Sequence, residues 1–173
     1  MTDNGKFRII VITTGGTIDK IYDESDGSLE NKGTSVKQMI LSKLRMPYTD
    51  IEVNTIFSKD SLFMNDSDRE LLANFINYQF TQKCPILILH GTDTMTVSAE
   101  YCLNKLGPPP VPVVFTGAMR PMVFADSDAQ QNVTEALLAC KLLSPGYYIS
   151  FHNRIFPAPK VRKNKEKSTF EAI

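Results

Sequence analysis

The stretch that decides the fold lies near the N-terminus, where residues 7–17 read FRIIVITTGGT. The run from Phe7 to Thr13 is mostly β-branched and aliphatic, which predicts a strand buried on both faces. The pair Gly15-Gly16 ends that run, with threonine hydroxyls on either side. Paired glycines let a backbone approach a ligand closely, so the turn predicts hydroxyl groups presented at the edge of a sheet. An ordinary tight turn is the alternative interpretation.

Aliphatic runs and helical patterns alternate along the rest of the chain. The apolar spacing predicts strands at 7–13, 51–57, 85–89, 111–115 and 147–151. It predicts helices at 35–46, 66–80, 94–106 and 127–143. This order indicates a three-layer, doubly wound α/β fold of the flavodoxin or Rossmann kind, with a mainly parallel sheet of about five strands.

Two segments carry no clear period. Residues 19–33 contain few apolar side chains and directly follow Thr17, so we expect a mobile lid that orders when a ligand binds. Residues 152–173 are expected to be irregular, with a basic stretch at 160–167. That stretch is consistent with solvated surface, with a nucleic-acid patch or with one lysine buried in a site.

The composition excludes several classes of protein. The chain has 173 residues, which predicts one domain over 1–173, and its 19 basic and 19 acidic side chains balance. A net charge of zero and the lack of aromatic residues near the basic stretch argue against nucleic acid as a partner. Three widely spaced cysteines indicate neither a disulfide framework nor a zinc site. No signal-peptide layout or membrane span is recognisable, so we expect a soluble cytoplasmic protein.

The polar residues collect where the predicted strands end. In a parallel sheet, ligands bind beyond the carboxyl ends of the strands. Loops rich in hydroxyls, carboxylates and glycines follow four of the predicted strands, at 14–17, 58–61, 90–94 and 116–121. The first of these loops is neither a dinucleotide-binding fingerprint nor a P-loop. His90 with Asp93 lacks a third metal ligand, and two histidines in the chain give little support for a Ser-His-Asp hydrolase.

Taken together, Thr14–Ile18 (TGGTI) and His90–Met95 (HGTDTM) resemble the two signatures of bacterial-type L-asparaginases. Each is modest alone, but both occur in order and after matching strands. Shorter matches occur at 58–60 (SKD), 117–121 (GAMRP), 161–163 (VRK) and 169–170 (TF). The resemblance covers the family's N-terminal domain, and we expect the family's smaller C-terminal domain to be absent.

The resemblance implies a set of catalytic roles and no cofactor or metal. Thr17 would be the nucleophile that attacks the side-chain amide carbon of L-asparagine, and Tyr22 would assist it. A threonine hydroxyl needs a base or a proton relay at neutral pH. The trio Thr92, Asp93 and Lys163 resembles the family's second cluster, which moves protons and stabilises charge.

The resemblance also implies how substrate would be bound. Ser58 would hold the α-carboxylate and Asp93 the α-ammonium group. Lys59 stands where many members have a glutamine that contacts this ammonium, and a cation cannot accept that hydrogen bond. The other expected substrate contacts are Gly16, Gly91, Thr92 and Ala118.

The expected reaction is hydrolysis of L-asparagine to L-aspartate and ammonia through a threonine-linked β-aspartyl intermediate. An amidase acting on glutamine or on an amidated macromolecule is an alternative. A module that binds asparagine or aspartate without turnover is a second alternative. Because a neighbouring protomer normally completes the family's site, we expect a homodimer or a higher homo-oligomer.

Overall fold

The computed structural model describes residues 5–31 and 39–173. In chain order the strands are β1 (Phe7–Thr13), β2 (Lys20–Tyr22), β3 (Leu29–Asn31), β4 (Thr49–Thr55), β5 (Ile86–Leu89), β6 (Pro112–Thr116), β7 (Gly146–Phe151), β8 (Arg154–Pro157), β9 (Val161–Asn164) and β10 (Thr169–Ala172). The α-helices in these residues are α1 (Asp66–Gln79), α2 (Met95–Leu106) and α3 (Ala129–Leu142). Short 3₁₀ turns span Thr17–Asp19, Leu41–Lys43, Ser61–Phe63 and Phe80–Gln82.

A six-stranded sheet with the order β4-β1-β5-β6-β7-β8 forms the centre of the fold. The first five strands are parallel, and β8 runs antiparallel to β7. The predicted mainly parallel sheet is therefore confirmed, with one strand more than expected. His152 and Asn153 adopt left-handed backbone angles (φ 45° and 61°) that reverse the chain between β7 and β8.

The core lies on both faces of the sheet, as a doubly wound fold requires. Ile10 and Ile12 of β1 pack with α1 and α2 on one face, whereas Ile9 and Val11 pack with α3 on the other. All four side chains are fully buried. Burying one such side chain stabilises a fold by roughly 1.5–3 kcal/mol. The three-layer prediction is confirmed.

The predicted helix at 35–46 differs from the structure where the two can be compared. Residues 35–38 lie outside the described residues. In the described part Met39 is helical, the short turn Leu41–Lys43 follows, and Leu44 is extended. Pro47 disfavours a helical conformation at the residue before it, which explains why no helix reaches Met46.

The two segments without a period both form hairpins. Within 19–31, β2 pairs with β3, and within 152–173, β9 pairs with β10. The prediction of an irregular tail was therefore wrong. Val161 and Phe170 are almost fully buried and join the core, which anchors β9 and β10. The mobility of residues 19–33 stays a prediction, and its last two residues lie outside the described ranges.

None of the helices in the described ranges is both long and apolar enough to cross a membrane.

The strand order reverses beside β1, and this places a crevice at its carboxyl end. The chain passes from β1 to β4 on one side, and then through α1 to β5 on the other. The loops after β1 and β5 consequently lie side by side, the usual position of a ligand in such sheets. Gly16, at φ 85° and ψ −174°, lies so close to the second loop that a Cβ would be 2.5 Å from the backbone N of Gly91.

We predict that Gly16→Ala destabilises the protein more than Gly107→Ala does. Gly107 has similar backbone angles (φ 71°, ψ −165°), but a Cβ there would meet nothing within 4 Å. Gly107→Ala therefore measures backbone strain alone, roughly 1–3 kcal/mol for this glycine-only region. Gly16→Ala adds a collision with Gly91. Urea unfolding of both variants measures the difference, and equal losses would contradict the close packing of the two loops.

Candidate active site

The loop after β1 is held in place by its neighbour after β4. The backbone N–H of Gly16 donates to the Lys59 carbonyl at 3.0 Å, and the Lys59 N–H donates to the Thr14 carbonyl at 3.0 Å. The buried hydroxyl of Thr14 donates to the carbonyl of Leu89, which ties β1 to β5. Thr17 follows at the start of a 3₁₀ turn and is half-buried. Its hydroxyl makes no hydrogen bond with any described residue and is available to a ligand.

Three loops converge on Gly91. On one side Gly16 touches its backbone, and on the other a Cβ at Gly91 would lie 2.5 Å from the Cβ of Ser61. Only a residue without a side chain fits between them. Thr17 directly follows Gly16, and Thr92 directly follows Gly91. The backbones of the two threonines therefore begin close to each other. The packing of the two glycines therefore determines the placement of the two threonines.

Thr92, Asp93 and Lys163 form a hydrogen-bonded cluster. Lys163, on β9, donates from Nζ to Thr92 Oγ1 at 2.7 Å and to Asp93 Oδ1 at 2.9 Å. Thr92 is only 3% exposed, and the Lys163 side chain is 18% exposed. Because the Thr92 hydroxyl accepts from the ammonium group, its own proton is free to point toward a ligand. The structure thus brings Lys163 to two adjacent residues, Thr92 and Asp93, that lie 71 and 70 positions earlier in the sequence.

A second ion pair adjoins this cluster. Lys20, at the start of β2, pairs with Asp60 at 2.7 Å. Burial disfavours the charged form of Asp60, but hydrogen bonds from Lys20 and the Leu62 N–H, with the charge of Lys163, hold the pKa of this carboxyl below its usual value. Since the charge of Lys163 reaches Asp60, the two pairs form one electrostatic network.

Lys59 contributes its backbone to the crevice, and its side chain is held elsewhere. Its ammonium group lies 2.8 Å from both carboxylate oxygens of Asp68, in the first turn of α1. The hydrogen bond from Lys59 lowers the pKa of Asp68. The neighbouring residue Ser58 is half-buried in the same loop, beside Gly15.

Tyr22 is not hydrogen-bonded to Thr17 in this arrangement. It lies on β2 with half of its surface exposed, and its hydroxyl is 3.7 Å from where a Cβ of Gly27 would be. The hydroxyl therefore lies over the turn of the hairpin β2–β3. The expected assistance of Tyr22 to Thr17 stays a prediction.

Ala118 lies in the loop after β6 and is fully buried against the α3 side of the core. A Cβ at the preceding Gly117 would collide with the carbonyl oxygen of His90. This loop therefore packs under the loop that carries Gly91. Ala118 is 0% exposed, so the substrate contact expected at this residue is covered by protein in this structure.

Ser61 is a residue that the sequence did not single out. It is 1% exposed, its Oγ has no hydrogen-bond partner among the described residues, and it touches Gly91. Its carbonyl accepts a hydrogen bond from the Thr94 hydroxyl. A buried hydroxyl without a partner is unusual in proteins. The one signal in the sequence is its position in the polar loop 58–61.

His90 is fully buried at the start of the loop after β5. Complete burial lowers the pKa of its imidazole to about 4, and its Nδ1 lies 2.8 Å from the Gly91 carbonyl. In the described part of the chain, no group of three or more histidine, cysteine, aspartate or glutamate side chains could hold a metal ion. The chemistry of the crevice is that of two hydroxyls, a lysine and carboxylates beside the N-terminus of α2, whose backbone N–H groups favour negative charge.

Comparison with known proteins gives a family match over almost the whole chain. The model of the family described as Asparaginase, N-terminal, matches residues 8–173. The L-asparaginase of Thermococcus kodakarensis is 29% identical over 156 residues, 90% of this chain and 47% of that protein. Its solved structure superimposes with a TM-score of 0.85 at 27% identity, covering 96% of this chain and 51% of that one.

A second relative carries a different name. It is a component of the glutamyl-tRNA(Gln) amidotransferase of Methanobrevibacter smithii, 31% identical over 184 residues, 99% of this chain and 41% of that protein. The chain thus spans about half the length of the curated relatives it matches.

We predict that Lys163→Met removes most of the turnover of this site and leaves the melting temperature nearly unchanged. Methionine keeps the volume of the side chain but cannot donate to Thr92 or Asp93. Ammonia release and thermal unfolding measure the two effects. Lys165→Met is the matched control, because Lys165 is exposed in the turn between β9 and β10. Full activity of Lys163→Met would show that the cluster has no part in the chemistry.

Proposed function

The chain belongs to the asparaginase family, and from that premise we propose that it hydrolyses L-asparagine to L-aspartate and ammonia. The observation that carries the proposal is the Thr92–Asp93–Lys163 cluster, set beside the free hydroxyl of Thr17 by the contact of two glycines. A site that only binds an amino acid has no need of an available nucleophile next to a proton-carrying chain. The arrangement therefore favours turnover over a binding module.

In the first half of the proposed reaction, Thr17 Oγ attacks the side-chain amide carbon of asparagine. A new C–O bond forms, the hydroxyl gives up its proton, and negative charge develops on the amide oxygen. Backbone N–H groups at the turn after Gly16 and at the start of α2 would stabilise that charge. Donors of this kind are worth about 3–4 kcal/mol each in acyl transfer.

Collapse of this intermediate breaks the C–N bond and releases ammonia. The leaving nitrogen needs the proton that Thr17 lost, and the hydrogen-bonded chain of Thr92, Lys163 and Asp93 offers a route. Tyr22 assists Thr17 in this step if the hairpin β2–β3 closes over the crevice. Water then attacks the β-aspartyl ester, which frees L-aspartate and restores the Thr17 hydroxyl.

Substrate binding uses the polar groups around Gly91. Asp93 and Asp60 are carboxylates that can hold the α-ammonium group. The half-buried Ser58 would hold the α-carboxylate. The backbone of Gly16 and Lys59 would complete the walls.

An amidase that acts on an amidated macromolecule is the second candidate. The name of the Methanobrevibacter smithii relative concerns a glutamyl-tRNA substrate. Leu62 and Phe63, next to Asp60 and Ser61, are 64% and 76% exposed and leave one rim of the crevice apolar and open. Activity on free asparagine distinguishes the two candidates, because an enzyme specific for a macromolecule releases no ammonia from the amino acid.

We predict that Thr17→Ala lowers ammonia release from asparagine by several orders of magnitude, because the covalent route is closed without a nucleophile. Thr17→Ser is the matched control, since it keeps the hydroxyl and loses only a methyl group. Ammonia release is measured with asparagine and, separately, with glutamine. Activity of Thr17→Ala within tenfold of the unmodified protein would overturn the assignment, and activity on glutamine alone would change the substrate.

We also propose a homodimer or a higher homo-oligomer in which a second copy covers the rim at Leu62 and Phe63. Closing the rim would exclude water and strengthen the electrostatic contacts in the crevice. We expect a solution mass of at least twice 19.4 kDa by light scattering at assay concentration. A fully active particle with the mass of one chain would contradict this.

The three free thiols favour a reducing compartment, and we propose the cytoplasm.

A further inference from the structure

One polar cluster outside the crevice has no part in the proposed reaction. His152 follows β7 and bridges two side chains: its Nε2 lies 3.0 Å from Asp128 Oδ2, and its Nδ1 lies 2.9 Å from Thr169 Oγ1. We call Asp128, His152 and Thr169 the histidine clasp. Its members come from the loop before α3, the turn after β7 and the first position of β10.

Asp128 is the fixed end of the clasp. Its carboxylate accepts from the backbone N–H groups of Met119 and Arg120 at 3.0 Å and from Asn132 Nδ2 at 2.9 Å. Burial raises the pKa of Asp128, but these hydrogen bonds and that with His152 hold it below the usual value. Asp128 therefore stays charged and anchors the loop after β6.

Thr169 connects the clasp to Lys163. In the hairpin β9–β10, Thr169 is paired with Asn164, and Phe170 is paired with Lys163. The Phe170 ring packs edge-on against Phe151 at 4.9 Å, which holds the apolar side of the hairpin. The hydrogen bond between His152 and Thr169 holds the polar side of the hairpin, one residue from Phe170, the strand partner of Lys163.

The clasp does not depend on the charge of the imidazole. When His152 is neutral, Nε2–H donates to Asp128 and Nδ1 accepts the proton of the Thr169 hydroxyl. When it is protonated, both nitrogens donate, and Thr169 accepts through its oxygen lone pairs. Both links are retained in either state.

We propose that His152 is a positioning residue for Lys163: by joining Asp128 to Thr169 it holds the hairpin β9–β10 where the Lys163 ammonium reaches Thr92 and Asp93. Its catalytic consequence rests on the proposed function, whereas its structural consequence does not. Without the clasp, Phe170 and Val161 still attach the hairpin to the core. Lys163 would then spend part of its time away from its partners.

The test removes one hydroxyl. Thr169→Val keeps the shape of the side chain and its preference for a strand, but cannot bond to His152. Thr169→Ser restores the hydroxyl, and Thr134→Val is the matched control, because the exposed Thr134 hydroxyl bonds only within α3. His152→Asn is a second variant, since asparagine tolerates the left-handed backbone at this position but is too short to bridge both partners.

Two measurements are made on each variant. The first is the rate at which acetic anhydride modifies Lys163, read by mass spectrometry relative to Lys165 in the same protein. Loss of one hydrogen bond shifts such an equilibrium by roughly threefold to tenfold, so we expect Thr169→Val and His152→Asn to speed Lys163 modification by that factor. The second is asparagine hydrolysis, in which kcat falls by a similar factor while KM stays within about twofold, because Lys163 serves the chemical step.

Thr169→Ser and Thr134→Val are expected to behave as the unmodified protein in both measurements. The proposal is overturned if Thr169→Val and His152→Asn leave the modification rate of Lys163 unchanged, or if Thr169→Ser fails to restore it. If the unmodified protein releases no ammonia from asparagine, the proposed function fails, and the modification rates still decide whether the clasp positions Lys163.

Discussion

The contact between Gly16 and Gly91 is the constraint on which the site depends. The sheet order places the loops after β1 and β5 side by side, and the two glycines let their backbones meet without an intervening side chain. Thr17 is the next residue after Gly16, and Thr92 is the next residue after Gly91. The distance between Thr17 and Thr92 is therefore set by backbone packing, which varies less than the position of a long side chain.

Ion pairs between side chains also hold the site together. Lys20, Asp60, Asp93 and Lys163 come from four different elements and neutralise one another in a half-buried crevice. Their attraction is stronger there than at an exposed surface, where an ion pair contributes about 0–1 kcal/mol. The same network joins both hairpins to the central sheet, because Lys20 belongs to β2 and Lys163 to β9. A movement of either hairpin would therefore also move one of the charged groups of the site.

The core was predictable from sequence because its strands are continuous aliphatic runs that are buried on both faces, as in β1. The hairpin β9–β10 was not, since only Val161 and Phe170 anchor it and their partners lie far away in the chain. Lys163 was found through the family motif, and nothing in its basic stretch distinguishes it from Lys165. Ser61 was missed because one serine in a polar loop looks like any other until its contact with Gly91 is known.

The most direct test of the central claim is to identify the residue that carries the acyl group. The protein is mixed with saturating asparagine and quenched in acid within the first turnovers. It is then digested, and the masses of the peptides are measured by mass spectrometry. We predict that the mass of one aspartyl group appears on the peptide that contains Thr17 and is lost in mild base, as an ester requires. The same mass on the peptide that contains Thr92, with Thr17 unmodified, would contradict the account.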